Sequence, residues 1–397
     1  MKLPLKLPTV ALVGTNGYGL KYIKELLKIH GESLYFLAAI DIFHTKSPAY
    51  SELRDLGVTL YSSLQEMYHS QKPDLVIISS PIHLHKEHAL TALRNGSHIL
   101  CEKPLCPLSS EVLEINQLAV ELGKIVAVGY QDSFSDSTQA IKKDILKGVF
   151  GRPIKAKALV LWERTPEYYS RNNWAGSIQT PQGQLVLDSP ANNANAHYLH
   201  QMFYMLGNQI GTCALPAQLE AECYRANNIE NFDTCAIRAV TCEKVEVLFF
   251  ASHAVQGHVG PFIEFTFEKG RLSTFGGSEN RQFTWNDGKV TCYDNNSDGG
   301  VLQKIVQTLH AMAFKEDSLC PPRATLGQTM CIEMIYRSTI ETHSFPEELV
   351  HRKSSSVYVK GLADVLKNSY NREALPSECG VTWARKSVHA EDLYPSK

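Results

Sequence analysis

The first 130 residues alternate short apolar runs with amphipathic stretches, and this alternation restricts the folds that the chain can adopt. Apolar runs occupy 9–13, 34–40 and 75–78, a length typical of strands that are buried on both faces. The stretch 20–29 repeats apolar residues with helical spacing and carries charged residues on its other side. Short buried strands that alternate with helices predict a doubly wound parallel sheet.

The rhythm changes after residue 130, where strand-like runs follow one another without helices between them. Examples are the runs at 234–241, 245–251 and 262–267. Consecutive strands are typical of an antiparallel or mixed sheet. We therefore predict two domains, an α/β domain at 1–130 and an α+β domain at 131–397 with a large open, mostly antiparallel sheet.

Composition disfavours several classes of protein. The 39 Lys+Arg residues nearly balance the 41 Asp+Glu residues, and the net charge of −2 disfavours a nucleic-acid partner. No apolar run reaches the ~20 residues that span a membrane, and Pro4 and Pro8 interrupt the first residues, which disfavours a targeting segment. The ten cysteines include no CxxC pair, so we expect reduced thiols, no metal centre and a cytoplasmic location.

A glycine-rich turn joins the first predicted strand to the first predicted helix. It consists of Gly14, Thr15, Asn16, Gly17, Tyr18 and Gly19. Gly14 and Gly19 fill the first and third glycine positions of the dinucleotide-binding pattern G-x-G-x-x-G, and Asn16 takes the second. Such a turn lets backbone amides and a helix N-terminus approach a pyrophosphate. These six residues are therefore predicted to bind a dinucleotide on a Rossmann domain.

The residue that ends the second predicted strand bears on the choice of dinucleotide. Asp41 lies 22 residues after Gly19, where a carboxylate can accept hydrogen bonds from the adenosine ribose. The carboxylate favours NAD, because its charge would repel the extra phosphate of NADP. His44 and Lys46 could instead reach that phosphate, so NADP stays open as an alternative.

A charged segment follows the fourth predicted strand, at the sheet edge where folds of this type bind their ligands. Lys103 in this segment could donate a hydrogen bond to a substrate hydroxyl or take a proton from it, and Glu102 could orient Lys103. A lysine in a surface loop is the alternative interpretation.

Four segments, in this order, resemble the Gfo/Idh/MocA family, which is named after glucose-fructose oxidoreductase, inositol dehydrogenase and MocA. They are the glycine turn and residues 80–85, 101–104 and 128–131. The resemblance implies a Rossmann domain followed by an α/β domain whose open sheet often mediates oligomers. It also implies oxidation or reduction of sugars, polyols and their derivatives with NAD or NADP.

The resemblance also assigns roles to individual residues. It implies that Lys103 contacts both cofactor and substrate, and that the peptide bond between Lys103 and the following proline is cis. It places four further side chains at the cofactor, namely Ser80, Pro81, His85 and Glu102.

The second domain supplies the other candidate catalytic residue. The stretch 190–206 is predicted to form one long helix, on which Asn193, His197 and His200 share a face. This polar face either binds substrate, as we predict, or is solvated. By resemblance, His197 matches the family's catalytic histidine, whereas Asn193 and His200 stand where the family has aspartates. We favour His197 as the base, since histidine titrates near neutrality, with Lys103 polarising the hydroxyl oxygen. The reverse roles and a core histidine are the alternatives.

Aromatic and polar residues before this helix are predicted to line a carbohydrate pocket, because aromatic faces stack on sugar rings and Arg or Asn binds hydroxyls or a carboxylate. They are Tyr168, Tyr169, Arg171, Asn173 and Trp174, with Asn192 and Asn195 as further donors. A packed loop is the alternative for any one of them.

The sequence therefore predicts an NAD(P)-dependent dehydrogenase of a sugar, polyol or related compound that forms a homo-oligomer. One alternative is a redox-neutral enzyme that keeps NAD bound, as some related glycosidases and epimerases do. Another is a non-catalytic dinucleotide-binding regulator. Lys103 and His197 disfavour the regulator, which would need neither side chain.

Overall fold

The computed structural model describes residues 7–275, 281–294, 300–338, 341–353, 355–386 and 389–391. The described residues form two compact units, one drawn from 1–135 and 297–325 and the other from 136–296 and 326–397. We predict that all of 131–397 belongs to one domain, whereas the described residues 131–135 and 300–325 lie in the first unit.

Helices and strands are numbered here in chain order over the described residues. The helices are α1 (Gly19–Ile29), α2 (Tyr50–Asp55), α3 (Leu64–Ser70), α4 (His85–Arg94), α5 (Ser109–Glu121), α6 (Asp136–Leu146), α7 (Pro166–Ser170), α8 (Ala196–Leu206), α9 (Val301–Phe314), α10 (Leu326–Arg337) and α11 (Leu362–Arg372). The strands are β1 (Thr9–Val13), β2 (Tyr35–Ile40), β3 (Thr59–Tyr61), β4 (Leu75–Ile78), β5 (His98–Cys101), β6 (Val126–Val128), β7 (Pro153–Trp162), β8 (Pro216–Arg225), β9 (Thr234–Thr241), β10 (Glu246–Ser252), β11 (His258–Phe267), β12 (Gly270–Phe275), β13 (Arg281–Trp285), β14 (Val290–Tyr293), β15 (Thr342–Ser344), β16 (Val350–Lys353), β17 (Ser356–Val359) and β18 (His389–Glu391).

The first unit is built on a parallel sheet of six strands in the order β3-β2-β1-β4-β5-β6. Every residue of β4 is buried, as expected of a strand covered on both faces. The strand order reverses between β1 and β4, and ligands of such sheets bind in the crevice outside the carboxyl ends of the strands at that point. The predicted doubly wound parallel sheet is confirmed.

A segment from the distant C-terminal half of the chain completes the first unit. Helix α9 packs against α1 and β5 and buries Lys304, Ile305, Thr308 and Ala311. Beyond α9, the carbonyl oxygen of Cys320 accepts a hydrogen bond from the Val128 amide at 2.8 Å. The parallel sheet is therefore supported by residues that lie almost 200 positions away in sequence.

The second unit contains a sheet of ten strands in the described residues. Nine follow the order β14-β13-β12-β11-β7-β10-β9-β8-β15, and β18 also pairs with β8. The β7–β10 and β8–β15 pairs are parallel and the other pairs are antiparallel. The predicted large, mostly antiparallel sheet is confirmed.

The segment that contains α11 packs on one face of the central strands of this sheet. Leu362 and Leu366 of α11 belong to an apolar cluster with Leu159, Leu161 and Phe250 of the sheet. Beside the cluster, both Lys155 and Lys157 form ion pairs with Glu373, the residue that caps the C-terminus of α11. An apolar centre with charged pairs at its edge therefore holds the C-terminal segment on the sheet.

None of the described helices is both long enough and apolar enough to span a bilayer.

Candidate functional site

The glycine turn leaves no room for side chains at two of its positions. Gly14 has a φ of +92°, and a Cβ atom there would lie 2.5 Å from the Ser79 carbonyl oxygen. A Cβ atom on Gly19 would collide with the Gly14 carbonyl oxygen. The first and third glycines of the pattern are therefore required by close packing between β1, α1 and the end of β4.

The N-terminus of α1 fits the pyrophosphate of a dinucleotide. Among the described side chains, none caps α1, and its first turn contains no acidic residue. The helix dipole and the first N–H groups can therefore interact with an anion. The neighbouring Asn16 and Gly17 are exposed, and a Cβ atom on Gly17 would meet nothing within 4 Å.

Asp41 follows β2 and braces the glycine turn. Its Oδ2 atom accepts hydrogen bonds from the Thr15 amide (2.9 Å), the Thr15 hydroxyl (3.1 Å) and the Asn16 side-chain amide (3.1 Å). Its Oδ1 atom accepts one from the Phe43 amide at 2.8 Å. Since Thr15 is fully buried, its side chain supports the turn from inside. Oδ1 accepts this one hydrogen bond and has a further lone pair, so it can also accept a hydrogen bond from a ribose hydroxyl.

Two apolar side chains next to Asp41 were not predicted from the sequence. Ile42 is 72% exposed and Phe43 is 54% exposed. The Lys46 ammonium lies 5.2 Å from the centre of the Phe43 ring, and His44 begins a short 3-10 turn. Exposed apolar residues beside a crevice provide a surface for a flat apolar group. A search for apolar residues directly after the acidic residue of the second strand would have found them.

His85 ties together two loops at the carboxyl ends of the strands. Its ring is buried, with Nε2 2.8 Å from the Ser80 carbonyl oxygen and Nδ1 2.9 Å from the Pro104 carbonyl oxygen. His85 therefore braces the loops after β4 and β5 from inside. Ser80 is half-buried and Pro81 exposed, so these two can contact a ligand directly.

Glu102 points into the interior of the first unit. Its carboxylate accepts a hydrogen bond from the Tyr22 hydroxyl at 2.7 Å and forms an ion pair with the fully buried Lys304 of α9. Burial alone would raise the pKa of Glu102, but the Lys304 ammonium and the Tyr22 hydrogen bond lower it below its usual value. The sequence places Glu102 among the cofactor-binding residues, and in the structure its carboxylate is a buried partner of Lys304 and Tyr22.

Lys103 lies at the carboxyl end of β5, where the resemblance places it. Its side chain is half-buried, and the Lys103–Pro104 peptide bond is cis, as the resemblance implies. The Lys103 amide lies 3.3 Å from Oε2 of Glu102. The first unit therefore brings together the glycine turn, Asp41 and Lys103 along one edge of its sheet.

In the second unit, the helix that carries His197 is shorter than predicted. It begins at Ala196, so Asn193 lies before it and does not share a helical face with His197 and His200. The side chains of Asn192 and Asn195 instead donate hydrogen bonds to the carbonyl oxygens of Leu187 and Val160. Asparagine side chains that bind backbone groups compete with helix formation. A prediction from hydrophobic periodicity alone does not take this competition into account.

Three residues predicted to contact substrate are instead part of the interior. His200 is buried and stacks on Tyr204 at 5.6 Å, and burial, together with Lys142, lowers its pKa to about 3. Asn192 and Asn195 are buried as well. By contrast, His197 and Asn193 are half-buried, which leaves them accessible to a ligand.

Asp188 supplies a carboxylate next to Asn193. Its Oδ1 atom accepts a hydrogen bond from the Asn193 side chain at 2.6 Å, and its Oδ2 atom accepts one from the Gly176 amide at 2.6 Å. Arg171 lies 3.8 Å from the same carboxylate. Asn193 stands where the family has an aspartate, but its side chain is hydrogen-bonded to the carboxylate of Asp188.

Aromatic and cationic side chains gather around Tyr168. The Arg171 and Arg164 guanidinium groups lie 3.7 and 4.9 Å from the centre of its ring, and the His253 ring lies 5.6 Å away. Tyr169 contacts Nδ1 of His253 through its hydroxyl at 3.0 Å. The sequence did not predict that Arg164 and His253 belong to this group, because they follow two strands, β7 and β10, that are far apart in sequence.

The remaining predicted pocket residues join this group at its edge. Trp174 lies 5.5 Å from the Arg171 guanidinium, and Asn173 is exposed. In the described part of the chain, no three His, Cys, Asp or Glu side chains come together as a metal centre.

Comparison with known proteins gives three findings. Residues 9–130 match the model of an oxidoreductase family with an NAD-binding Rossmann fold. D-Glucoside 3-dehydrogenase of Escherichia coli is 34% identical over 95 residues, which cover 24% of this chain and 27% of that protein. Inositol 2-dehydrogenase of Rubrobacter xylanophilus is 27% identical over 160 residues, covering 40% of this chain and 44% of the relative. These matches thus span less than half the length of either relative.

Solved structures share the fold over most of the chain. The WlbA dehydrogenase of Bordetella pertussis, solved with NADH and UDP-GlcNAcA, has a TM-score of 0.68 at 19% identity and covers 84% of this chain and 95% of its own. An oxidoreductase of Agrobacterium radiobacter, solved with NAD+, L-tartaric acid and magnesium, has a TM-score of 0.66 at 15% identity, covering 84% and 96%. At these identities the likeness shows a common fold.

Proposed function

Because the chain belongs to the Gfo/Idh/MocA family of oxidoreductases, we propose that it transfers a hydride between NAD and a hydroxyl-bearing carbon of a sugar, polyol or related derivative. The observation that carries the proposal is the edge of the parallel sheet, where the glycine turn, Asp41 and Lys103 follow β1, β2 and β5. This edge is the ligand-binding side of a doubly wound sheet.

The described residues of the first unit fit the pyrophosphate, the adenosine ribose and the adenine of NAD. The uncapped N-terminus of α1 would hold the pyrophosphate, and Asp41 would accept a ribose hydroxyl. The exposed Ile42 and Phe43 would contact the adenine ring. The Asp41 carboxylate disfavours the extra phosphate of NADP. Lys46, which could bind that phosphate, lies over the Phe43 ring. NAD is therefore the preferred cofactor, and when bound it supplies the hydride acceptor.

The chemistry requires that a proton and a hydride leave the substrate together. The hydroxyl oxygen gives its proton to a base, the hydrogen on carbon leaves with its electron pair for the nicotinamide, and a carbonyl group forms. We assign the base role to His197, since histidine exchanges protons near neutrality. Lys103 would donate a hydrogen bond to the same oxygen.

Side chains of the second unit would bind the carbohydrate. Tyr168 and Trp174 offer aromatic faces to sugar C–H groups, while Asn193 and the neighbouring arginines can bind hydroxyls or a carboxylate. We also propose that the protein self-associates and that it is cytoplasmic. Light scattering of the purified full chain tests the self-association.

The experiment is a screen of sugars, polyols and their acids with the purified protein and NAD. The formation of NADH is measured by its absorbance. We expect turnover of at least one compound, and that Lys28→Ala, an exposed lysine on α1, retains it. Product without net NADH, together with retained cofactor, would instead identify a redox-neutral enzyme. No product with any compound, in folded protein that binds NADH, would contradict the proposal.

A further inference from the structure

Two arginines of the second unit lie against the same tyrosine ring, and only one of them has a carboxylate partner. The guanidinium groups of Arg171 and Arg164 lie 3.7 and 4.9 Å from the centre of the Tyr168 ring. Both groups stay positively charged at every pH at which the protein is folded. Among the described residues, the one carboxylate within ion-pair distance of either group is that of Asp188, 3.8 Å from Arg171.

Arg164 is therefore a cation without a negative partner in the described part of the chain. Its side chain is half-buried and packs against aromatic rings, since its guanidinium also lies 5.6 Å from the centre of the Trp162 ring. Its Nε atom is buried and has no hydrogen-bond acceptor among those residues. One Nη atom lies 3.4 Å from the Glu163 carbonyl oxygen. A partly desolvated guanidinium attracts an anion more strongly than one in water does.

The other titratable groups near the two arginines do not supply the missing negative charge. Burial, together with both arginines, lowers the pKa of His253 well below its usual value, and burial raises the pKa values of Tyr168 and Tyr169. The Glu163 carboxylate accepts a hydrogen bond from a backbone amide, and that of Asp233 accepts several from backbone and side-chain donors. One positive charge is thus left for a ligand.

Arg164 lies in the same region of the second unit as the proposed base, His197. Arg164 follows β7, and the last residue of that strand, Trp162, packs edge-to-face against Tyr198 with ring centres 5.6 Å apart. Tyr198 directly follows His197 on α8. An anionic group held by Arg164 would therefore belong to the molecule on which His197 acts.

We propose that the substrate is a sugar acid, a sugar or polyol that bears a carboxylate, and that Arg164 binds this carboxylate. A guanidinium can donate two parallel hydrogen bonds to a carboxylate. A carboxylate carries a single negative charge and so matches the single uncompensated cation, whereas a phosphate group carries about −1.5 to −2. This inference rests on the proposed function and names its substrate class.

The test compares acids with neutral compounds of the same stereochemistry. The pairs are D-glucuronate with D-glucose, D-galacturonate with D-galactose and D-gluconate with D-glucitol, extended to the other hexuronate and aldonate epimers. D-Glucose 6-phosphate represents sugar phosphates. Turnover with NAD gives kcat/KM, and calorimetry with and without NADH measures binding independently of turnover. We expect at least one acid to exceed its neutral counterpart by about tenfold or more in both measurements.

The variant Arg164→Met removes the charge and keeps a side chain of similar length. We expect it to weaken binding of the acid by roughly 10–100-fold, through KM rather than kcat, and to leave the neutral counterpart almost unchanged. Arg164→Lys keeps the charge without the paired donors, so it should lose less, and it serves as the test if the methionine variant does not fold. The matched control Arg152→Met changes an exposed arginine just before β7 and should bind the acid like the wild type.

The outcomes separate this inference from the proposed function. If no compound is turned over, the proposed function fails, while the calorimetric comparison of acids with neutral compounds still decides the substrate class. Equal binding within every pair, binding of no acid, or a preference for the phosphate would overturn the inference. A preference for the acid that persists in folded Arg164→Met would show that another group binds the carboxylate.

Discussion

Replacing Lys304 with methionine is expected to lower the free energy of unfolding by about 3–5 kcal/mol, because it leaves the Glu102 carboxylate buried without its partner. The loss should depend on pH. The pKa of Glu102 is lowered in the wild type, so its contribution is present at neutral pH and is lost as the pH falls through that lowered value. Without Lys304, burial should raise the pKa of Glu102, so the deficit should grow as the pH rises from the ordinary carboxyl value to the raised value and stay constant above it. Urea unfolding followed by far-UV circular dichroism, which reports the helices of both units, measures both effects.

Two matched variants show whether the unpaired buried charge causes this loss of stability. The double variant Glu102→Gln/Lys304→Met has no unpaired charge and should recover most of the stability. Lys28→Met breaks only the ion pair between the exposed Lys28 and the half-buried Glu25 and should cost less than about 1 kcal/mol. A Lys304→Met protein as stable as the wild type would contradict the buried pair.

Replacing His197 or Lys103 with alanine is expected to lower kcat by roughly 10²–10⁴-fold on a substrate found in the screen, the range typical of a lost proton-transfer group. The two variants should differ in their pH profiles. His197→Ala removes the base and with it the fall in kcat at acidic pH. Lys103→Ala removes the fall in kcat at alkaline pH. Steady-state rates from pH 5 to pH 10 measure this difference.

The control for this comparison is His69→Ala, which changes an exposed histidine on α3. Its rates and pH profile should match those of the wild type. Full turnover in both His197→Ala and Lys103→Ala would show that neither side chain takes part in the chemistry. Loss of the acidic limb in Lys103→Ala alone would reverse the two roles.

Features that depend on neighbouring residues could be predicted from the sequence. The glycine turn needs its glycines at 14 and 19 because backbone atoms approach them closely, and this requirement appears directly in the amino-acid pattern. The parallel sheet followed from strands short and apolar enough to be covered on both faces. Asp41 was identified because it ends the second strand, where it now braces the turn.

Features that depend on distant segments could not be predicted. Lys304 lies on a helix about 200 residues after Glu102, and no local pattern shows that α9 belongs with the first sheet. The helix of His197 was predicted too long because periodicity does not register asparagine side chains that bind backbone carbonyls. Because the helix begins at Ala196, Asn193 does not share a helical face with His200. Its polar neighbour is Asp188, to which it is hydrogen-bonded.

The measurement that tests the account most directly is a fluorescence titration of cofactor-free protein with NADH and, separately, with NADPH. We predict that NADH binds at least about tenfold more tightly than NADPH, which corresponds to about 1.4 kcal/mol. Asp41→Ala should remove most of this preference, since the Asp41 carboxylate is the group that disfavours the extra phosphate. Tighter binding of NADPH, or binding of neither nucleotide by folded protein, would contradict the account.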